Sequence, residues 1–144
     1  MLSPEDEFEI RDLYSRYNAY VDMGAYNDWA ACFTEDGQFL PAVATGGRAA
    51  IAALGKTRLE ARPGQAWREP QHWNSNLILS GDANAATALC YIMRLVKMKD
   101  SGESVANVLG MYEDTLVKVD GRWLFKTRKV TQDTLPPSAI PAPR

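Results

Sequence analysis

Residues 72–130, HWNSNLILSGDANAATALCYIMRLVKMKDSGESVANVLGMYEDTLVKVDGRWLFKTRKV, decide the fold. Four runs rich in β-branched, aromatic and aliphatic residues occupy 72–79, 85–98, 105–119 and 122–130. Polar turns separate them: SGDAN at 80–84, KDSG at 99–102, and Asp120-Gly121, a strong two-residue hairpin signal. Consecutive runs joined by tight turns predict an antiparallel meander. Two of the runs exceed ten residues, so the strands must curve. A curved sheet needs a layer on its concave side.

The residues before this stretch supply that layer. Ser3-Pro4-Glu5-Asp6 reads as a helix start, with a capping serine, a proline tolerated at the first helical position and carboxylates at the positive end of the dipole. Ile10, Leu13, Tyr14, Tyr17, Tyr20 and Val21 then recur at three- and four-residue spacing, an apolar face rich in tyrosine that runs to Gly24. A short second helix, capped by Asn27 or Asp28, brings Trp29, Cys32 and Phe33 to one face. Thr34-Glu35-Asp36-Gly37 predicts a turn into a short strand, 38–40, which Pro41 ends. Gly46-Gly47 precedes a third helix, from Arg48 to about Glu60, with Ile51, Leu54 and Leu59 as its apolar contacts, and 61–70 reads as a polar loop. Helices first and strands after is the α+β pattern. Residues 1–134 form one domain, and 135–144, with four prolines, read as an extended tail.

The bulk properties exclude several classes. A chain of 144 residues has room for one domain and a core that needs no disulfide or metal. A formal charge of −2 provides no field for nucleic acid or anionic lipid. The basic runs RLVKMK (94–99) and KTRK (126–129) lie in strands and read as solvated faces rather than a polyanion site. Cys32 and Cys90 read as buried reduced thiols, and a single histidine leaves a zinc site short of ligands. The start, MLSPEDEFEI, is acidic where a secretion signal would be basic and then apolar, and no run approaches the ~20 apolar residues of a membrane span. The expectation is a cytoplasmic protein with no membrane partner and no cofactor. Long strands with both faces partly apolar also predict a homodimer or homotrimer.

No phosphate-binding loop, nucleophile elbow or dinucleotide fingerprint is present. That leaves His72, whose side chain alone has an ordinary pKa near neutrality. Strand alternation puts Asn74 and Asn76 on its face, with Trp73 and Ser75 on the other. A histidine at a strand edge is either simply exposed or hydrogen-bonded, or it belongs to a site. Helical spacing sets Asp22 roughly opposite or beside the apolar stripe, where it reads as a surface residue, and sets Tyr17 in mid-stripe, pointing inward. Tyr14 is similar. Tyr91, Met93, Met111 and Tyr112 read either as cavity lining or as plain core.

EIRDLYSRYNAYVDMGAYNDWAACFTEDGQF, then GRAAIAAL, QHWNSNLILSGDANAATALCYI and GMYEDTLVKVDGRWLFKTRKV, resemble the SnoaL-like branch of the nuclear transport factor two superfamily. The likeness spans about residues 8–131. It implies a cone of helices on a curved sheet around an interior cavity, and a function among polyketide cyclases, dehydratases and dehydrohalogenases. It implies that His72 is the pocket histidine and Asp22 the aspartate ending the first helix. By the same likeness Tyr17, five positions before that aspartate, and Arg128, five after the tryptophan of the last strand, line the pocket. The expectation that follows is a dehydratase-like lyase acting on a small hydrophobic oxygenated ring compound. His72 would be its base, Asp22 the orienter, and Tyr17 and Arg128 the acid or anion partner. A cyclase or isomerase using the same pair, and a binding module without turnover, remain the alternatives.

Overall fold

Helix α1, Pro4–Met23, starts where the capping signals place it. Ser3 Oγ accepts from the Asp6 backbone N–H at 3.1 Å, and an Asp6 carboxylate oxygen takes the Ser3 N–H at 3.3 Å. The other Asp6 oxygen accepts from Lys118 Nζ at 2.7 Å and from Trp123 Nε1 at 2.8 Å. The cap is thereby tied to the last hairpin, at the far end of the chain. These donors, Lys118 first, hold the Asp6 carboxyl well below the usual carboxylate range. Gly24 ends the helix in the left-handed conformation (φ 75°), its N–H turned back to the Tyr20 and Val21 carbonyls.

The computed structural model describes residues 1–132. After α1 come α2 (Tyr26–Ala31), β1 (Phe33–Leu40), β2 (Thr45–Gly46), α3 (Arg48–Ala61) and a single 3-10 turn, Arg62–Gly64. The meander follows as β3 (Trp67–Gly81), β4 (Ala85–Met98), β5 (Ser104–Val119) and β6 (Arg122–Gln132). All six strands belong to one sheet in the order β2-β1-β6-β5-β4-β3. The sheet curls without closing, and the helices pack against it. The fold is the α+β arrangement that the order of signals predicts.

Three details differ from the sequence reading. β3 begins at Trp67, inside the expected loop, because β4 is long enough to pair Met98 with Trp67 and Lys97 with Arg68. A break in register after Arg68, with Glu69 at φ 53°, absorbs the irregularity. β1 begins at Phe33 and runs parallel to β6, so the sheet is not wholly antiparallel. Phe33 pairs with Phe125 and Gln38 with Thr127, and residues 34–37 bulge between these two anchors instead of turning. Helix α2 starts at Tyr26 with no side-chain cap, so neither Asn27 nor Asp28 plays that part. The proposed tail, 135–144, lies outside the described residues.

The core sits where α1, α2 and α3 meet the concave face. Tyr17 stands at its centre, edge-on to Trp29, Phe33, Tyr112 and Phe125 with ring centroids 5.5 to 6.1 Å apart. Such pairs add about 0.5–1.5 kcal/mol each beyond the area they bury. Helices α2 and α3 meet at Gly55, where an added Cβ would lie 2.7 Å from Tyr26 Cβ and 2.9 Å from Trp29 Cε3. No larger residue fits there without moving a helix. Cys32 and Cys90 are free and buried, and burial pushes both thiols up to about 12. They act as small apolar residues.

Candidate active site

The site is built where the end of α1 meets the first half of β3. Alternation along β3 turns His72 and Asn74 toward the helix and leaves Trp73 and Ser75 exposed. The carboxylate of Asp22, in the last turn of α1, receives His72 twice. Oδ2 accepts the His72 backbone N–H at 2.9 Å, and Oδ1 lies 2.5 Å from the imidazole Nδ1. A carboxylate oxygen accepts from Nδ1, and in the neutral ring that arrangement leaves Nε2 with its lone pair. Nε2 makes no hydrogen bond among the described residues. Both side chains are largely buried, 15% and 19% exposed. Arg62 fixes the helix end by donating to the Asp22 carbonyl at 2.6 Å and to the Val21 carbonyl. Spacing alone makes Asp22 a surface residue off the apolar stripe; it is largely covered because β3 runs past the end of the helix.

His72 forms part of the wall of a cavity of about 370 Å³. That volume lies within the ~300–1,000 Å³ usual for small-molecule sites. Tyr17, Tyr20, Trp29, Trp67 and Tyr112 provide aromatic walls, and Val21, Ile92, Val108 and Val130 provide aliphatic ones. Three arginines, Arg58, Arg62 and Arg94, complete the lining. A second, more open depression of about 560 Å³ is also lined by Asp22 and His72, together with Tyr14, Asn18, Asn74 and Asn76.

Tyr17 is 2% exposed and reaches the cavity between the rings that pack on it. Burial raises its hydroxyl pKa, and the charge of Arg128 opposes the rise. Arg128 itself is not in the cavity wall, which corrects its expected role as acid or anion partner. It is fully buried and bound to Asp114, with Nε to Oδ1 at 3.0 Å and Nη2 to Oδ2 at 2.7 Å. The rings of Tyr112, Phe125, Tyr17 and Tyr14 surround its guanidinium, 3.9 to 4.6 Å from their centroids. Tyr14, expected in the pocket, is absent from the cavity wall but borders the open depression beside Asp22 and His72, and its hydroxyl donates to Asp114. Burial raises the Asp114 carboxyl, opposed by Arg128 and Tyr14. Asp114 escaped the sequence reading, although it sits directly opposite Arg128 across the β5–β6 hairpin.

Three more expected lining residues, Tyr91, Met93 and Met111, are corrected, while Asn76 leaves the cavity but borders the open depression. Asn76 is exposed at φ 55°, in the register break between Ser75 and Ile78, so alternation from His72 does not extend to it. Tyr91 and Met93 fall on the outer face because Cys90, Ile92 and Arg94 take the inner one, and Tyr91 is half exposed. Met111, paired with Tyr91, is buried but belongs to neither the cavity wall nor the main core. Asn74 stays on the inner face without reaching the cavity. It accepts from Asn18 Nδ2 at 2.7 Å and seals the gap between α1 and β3.

Arg58, Arg62, Arg94 and Trp67 were not anticipated. Arg94 lies in the run read as a solvated face, yet it is directly opposite His72 in the β3–β4 pairing. Counting by twos from Ile92 would have found it. Among the described residues no group of three or more His, Cys, Asp or Glu could hold a metal ion. None of their helices is long and apolar enough to cross a membrane.

Comparison with known proteins agrees with this architecture. No curated protein sequence matches the chain. Among solved structures, a single-residue variant of Rv3472, a protein of unknown function from Mycobacterium tuberculosis, is 25% identical over 92% of this chain and 79% of its own, with a TM-score of 0.81. ActVI-ORFA from Streptomyces coelicolor is 27% identical over 91% of this chain and 97% of its own, with a TM-score of 0.80. A putative scytalone dehydratase from Novosphingobium aromaticivorans is 28% identical over 96% of this chain and 93% of its own, with a TM-score of 0.71. The model of the SnoaL-like domain matches residues 3–129, nearly every residue that builds the helices, the curled sheet and the His72–Asp22 site, and the chain therefore belongs to the SnoaL-like family.

Proposed function

We propose that the protein is a cofactor-independent lyase of the dehydratase kind, acting on a small hydrophobic ring compound that carries oxygen. The observation that carries the reading is the imidazole of His72, tied at Nδ1 to Asp22 and set in the wall of an aromatic cavity. Nε2 is the base. It takes a proton from a carbon next to a carbonyl, and the electron pair left behind forms the new double bond as the β-hydroxyl departs. The proton now on Nε2 passes to that hydroxyl, which leaves as water. Asp22 keeps the ring in the required tautomer and stabilises the imidazolium between the two transfers. Tyr17, at the cavity wall, donates a hydrogen bond to the carbonyl or to the leaving oxygen. The similarity to a putative scytalone dehydratase supports elimination over cyclisation or isomerisation, which begin with the same proton abstraction.

The test is turnover of a panel of hydroxylated and halogenated ring compounds. On whichever compound reacts, His72→Ala is expected to lower the rate by about 10²–10⁴-fold. Asp22→Asn should lower it too, and the double variant little further than His72→Ala, since residues acting as one unit are not additive. Wild-type turnover in His72→Ala would overturn the reading. A ligand held tightly and returned unchanged, indifferent to His72, would make the protein a binding module.

A further inference from the structure

The cavity that holds His72 carries more positive charge than its own residues balance. Arg94 projects from β4 directly opposite His72, so the two side chains leave the sheet as cross-strand neighbours, with Cβ atoms roughly 5 Å apart. Its guanidinium lies over the Trp67 ring, 4.8 Å from the centroid, and Nε donates to Asn107 Oδ1 at 3.0 Å. Stack and hydrogen bond fix the plane of the fork. Its two terminal nitrogens make no hydrogen bond among the described residues. Arg58, from α3, lies over Phe39 at 5.2 Å and makes no hydrogen bond or ion pair among them either. Arg62, the third, is used up on the carbonyls at the end of α1. The nearby carboxylate, Asp22, is taken by His72.

Arg58 is exposed as a residue and Arg94 half-buried, so solvent reaches both guanidinium groups until a ligand covers them. A guanidinium facing an apolar wall is normally paired, because desolvation without a partner is unfavourable. Burial lowers the pKa of Arg58 and of Arg94, and for Arg94 the charges of Arg58 and Arg62 lower it further while Asp22 opposes them. The fork of Arg94, held by Trp67 and Asn107, and the nearby guanidinium of Arg58, neither of them in an ion pair, match the planar, bidentate geometry of a carboxylate.

We propose that the ligand of this cavity carries a carboxylate on its apolar ring body, and that Arg94 and Arg58 together bind that group. The inference deepens the reading of the cavity as a substrate site and rests on it. It also orients the substrate: a carboxylate on Arg94 sets the adjoining carbons beside Nε2 of His72.

The test compares a matched pair of probes, 2-naphthoate and 2-naphthamide, by calorimetry and by the fluorescence of the cavity tryptophans Trp29 and Trp67. The wild type is expected to bind the carboxylate at least about tenfold more tightly than the amide, the scale of a charge-assisted bidentate contact. Arg58→Gln and Arg94→Gln should each erode that preference, and the double variant should abolish it while changing amide affinity less than about threefold. Arg16→Gln, on the exposed side of α1, should leave it unchanged. Equal affinity for the two probes, a preference for the amide, or no carboxylate binding would overturn the proposal. A preference that survives in the double variant would do the same. His72→Ala separates the two readings: it should spare the carboxylate preference while removing turnover. Turnover confined to neutral compounds would sink this inference and leave the lyase, whereas carboxylate binding that depends on the arginines, with no turnover of any compound, would do the reverse.

Discussion

The cone holds two sets of arginines, and they are treated in opposite ways. At the closed end Arg128 has no exposed surface, yet it is bound at two nitrogens to Asp114, which also accepts the Tyr14 hydroxyl. Around the cavity Arg58 and Arg94 are partly open, stacked on rings and without a carboxylate. The same side chain is paired with a carboxylate in one place and not in the other. What separates them is the counter-charge: Arg128 keeps one buried nitrogen, Nη1, without a hydrogen bond, but its charge is matched by Asp114 and enclosed by rings, whereas the cavity arginines have no carboxylate of their own.

This comparison can be broken most severely at Asp114. Asp114→Ala leaves a buried guanidinium uncompensated, and the expected loss is about 3–5 kcal/mol in urea or thermal unfolding. Arg128→Met combined with Asp114→Leu should lose much less, because it removes both charges together. If Asp114→Ala unfolds at the wild-type midpoint, the closed end is not the anchor described here. Tyr14→Phe deprives Asp114 of one donor and should cost about 1–3 kcal/mol by the same measurement. At the cavity the expectation is different: Arg94→Gln and Arg58→Gln should change the stability of the unliganded protein by less than about 1 kcal/mol, since lost stacking and relieved repulsion offset each other. A loss as large as that of Asp114→Ala would make the cavity arginines structural.

The smallest effect concerns another ion pair, where Asp6 at the start of α1 meets Lys118. The folded-state pKa of Asp6 lies below the usual value. Its contribution is therefore fully present above the unfolded carboxylate pKa of about 3.9, and it is lost as pH falls through the folded value. Urea midpoints compared at neutral pH and in acid should show a smaller acid-induced loss for Asp6→Asn than for the wild type. An identical loss would remove Asp6 from the acid response.

The outer face of the sheet poses a separate question. Trp73, Tyr91 and Leu109 are each half exposed there, on neighbouring strands. The dimer or trimer expected from two-sided apolar strands would use this face. Light scattering should return a multiple of 16.0 kDa, and a single-chain mass at micromolar concentration would remove the expectation.

Neighbours along the chain determined much of this protein. The Ser3 cap, the tyrosine stripe of α1, the Gly24 stop and the turns of the meander were legible because capping, periodicity and hairpin geometry depend on residues a few positions apart. The resemblance in the sequence added the His72 and Asp22 assignments, and the structure brings those two side chains together at 2.5 Å. The destiny of each charge was not legible. Arg94 and Arg128 both read as members of basic strand runs, and only pairing across strands puts one beside His72 and the other against Asp114. Tyr91, Met93 and Met111 look as suitable for a cavity as Tyr112 and Ile92 do. Which parity faces inward is set by the direction in which the sheet curls around the helices, and Asn76 loses its inward place to a single register break. Alternation is a local property, but the identity of the concave side is a property of the assembled layers. For that reason the elements could be read from the sequence, and the partner of each arginine only from the fold.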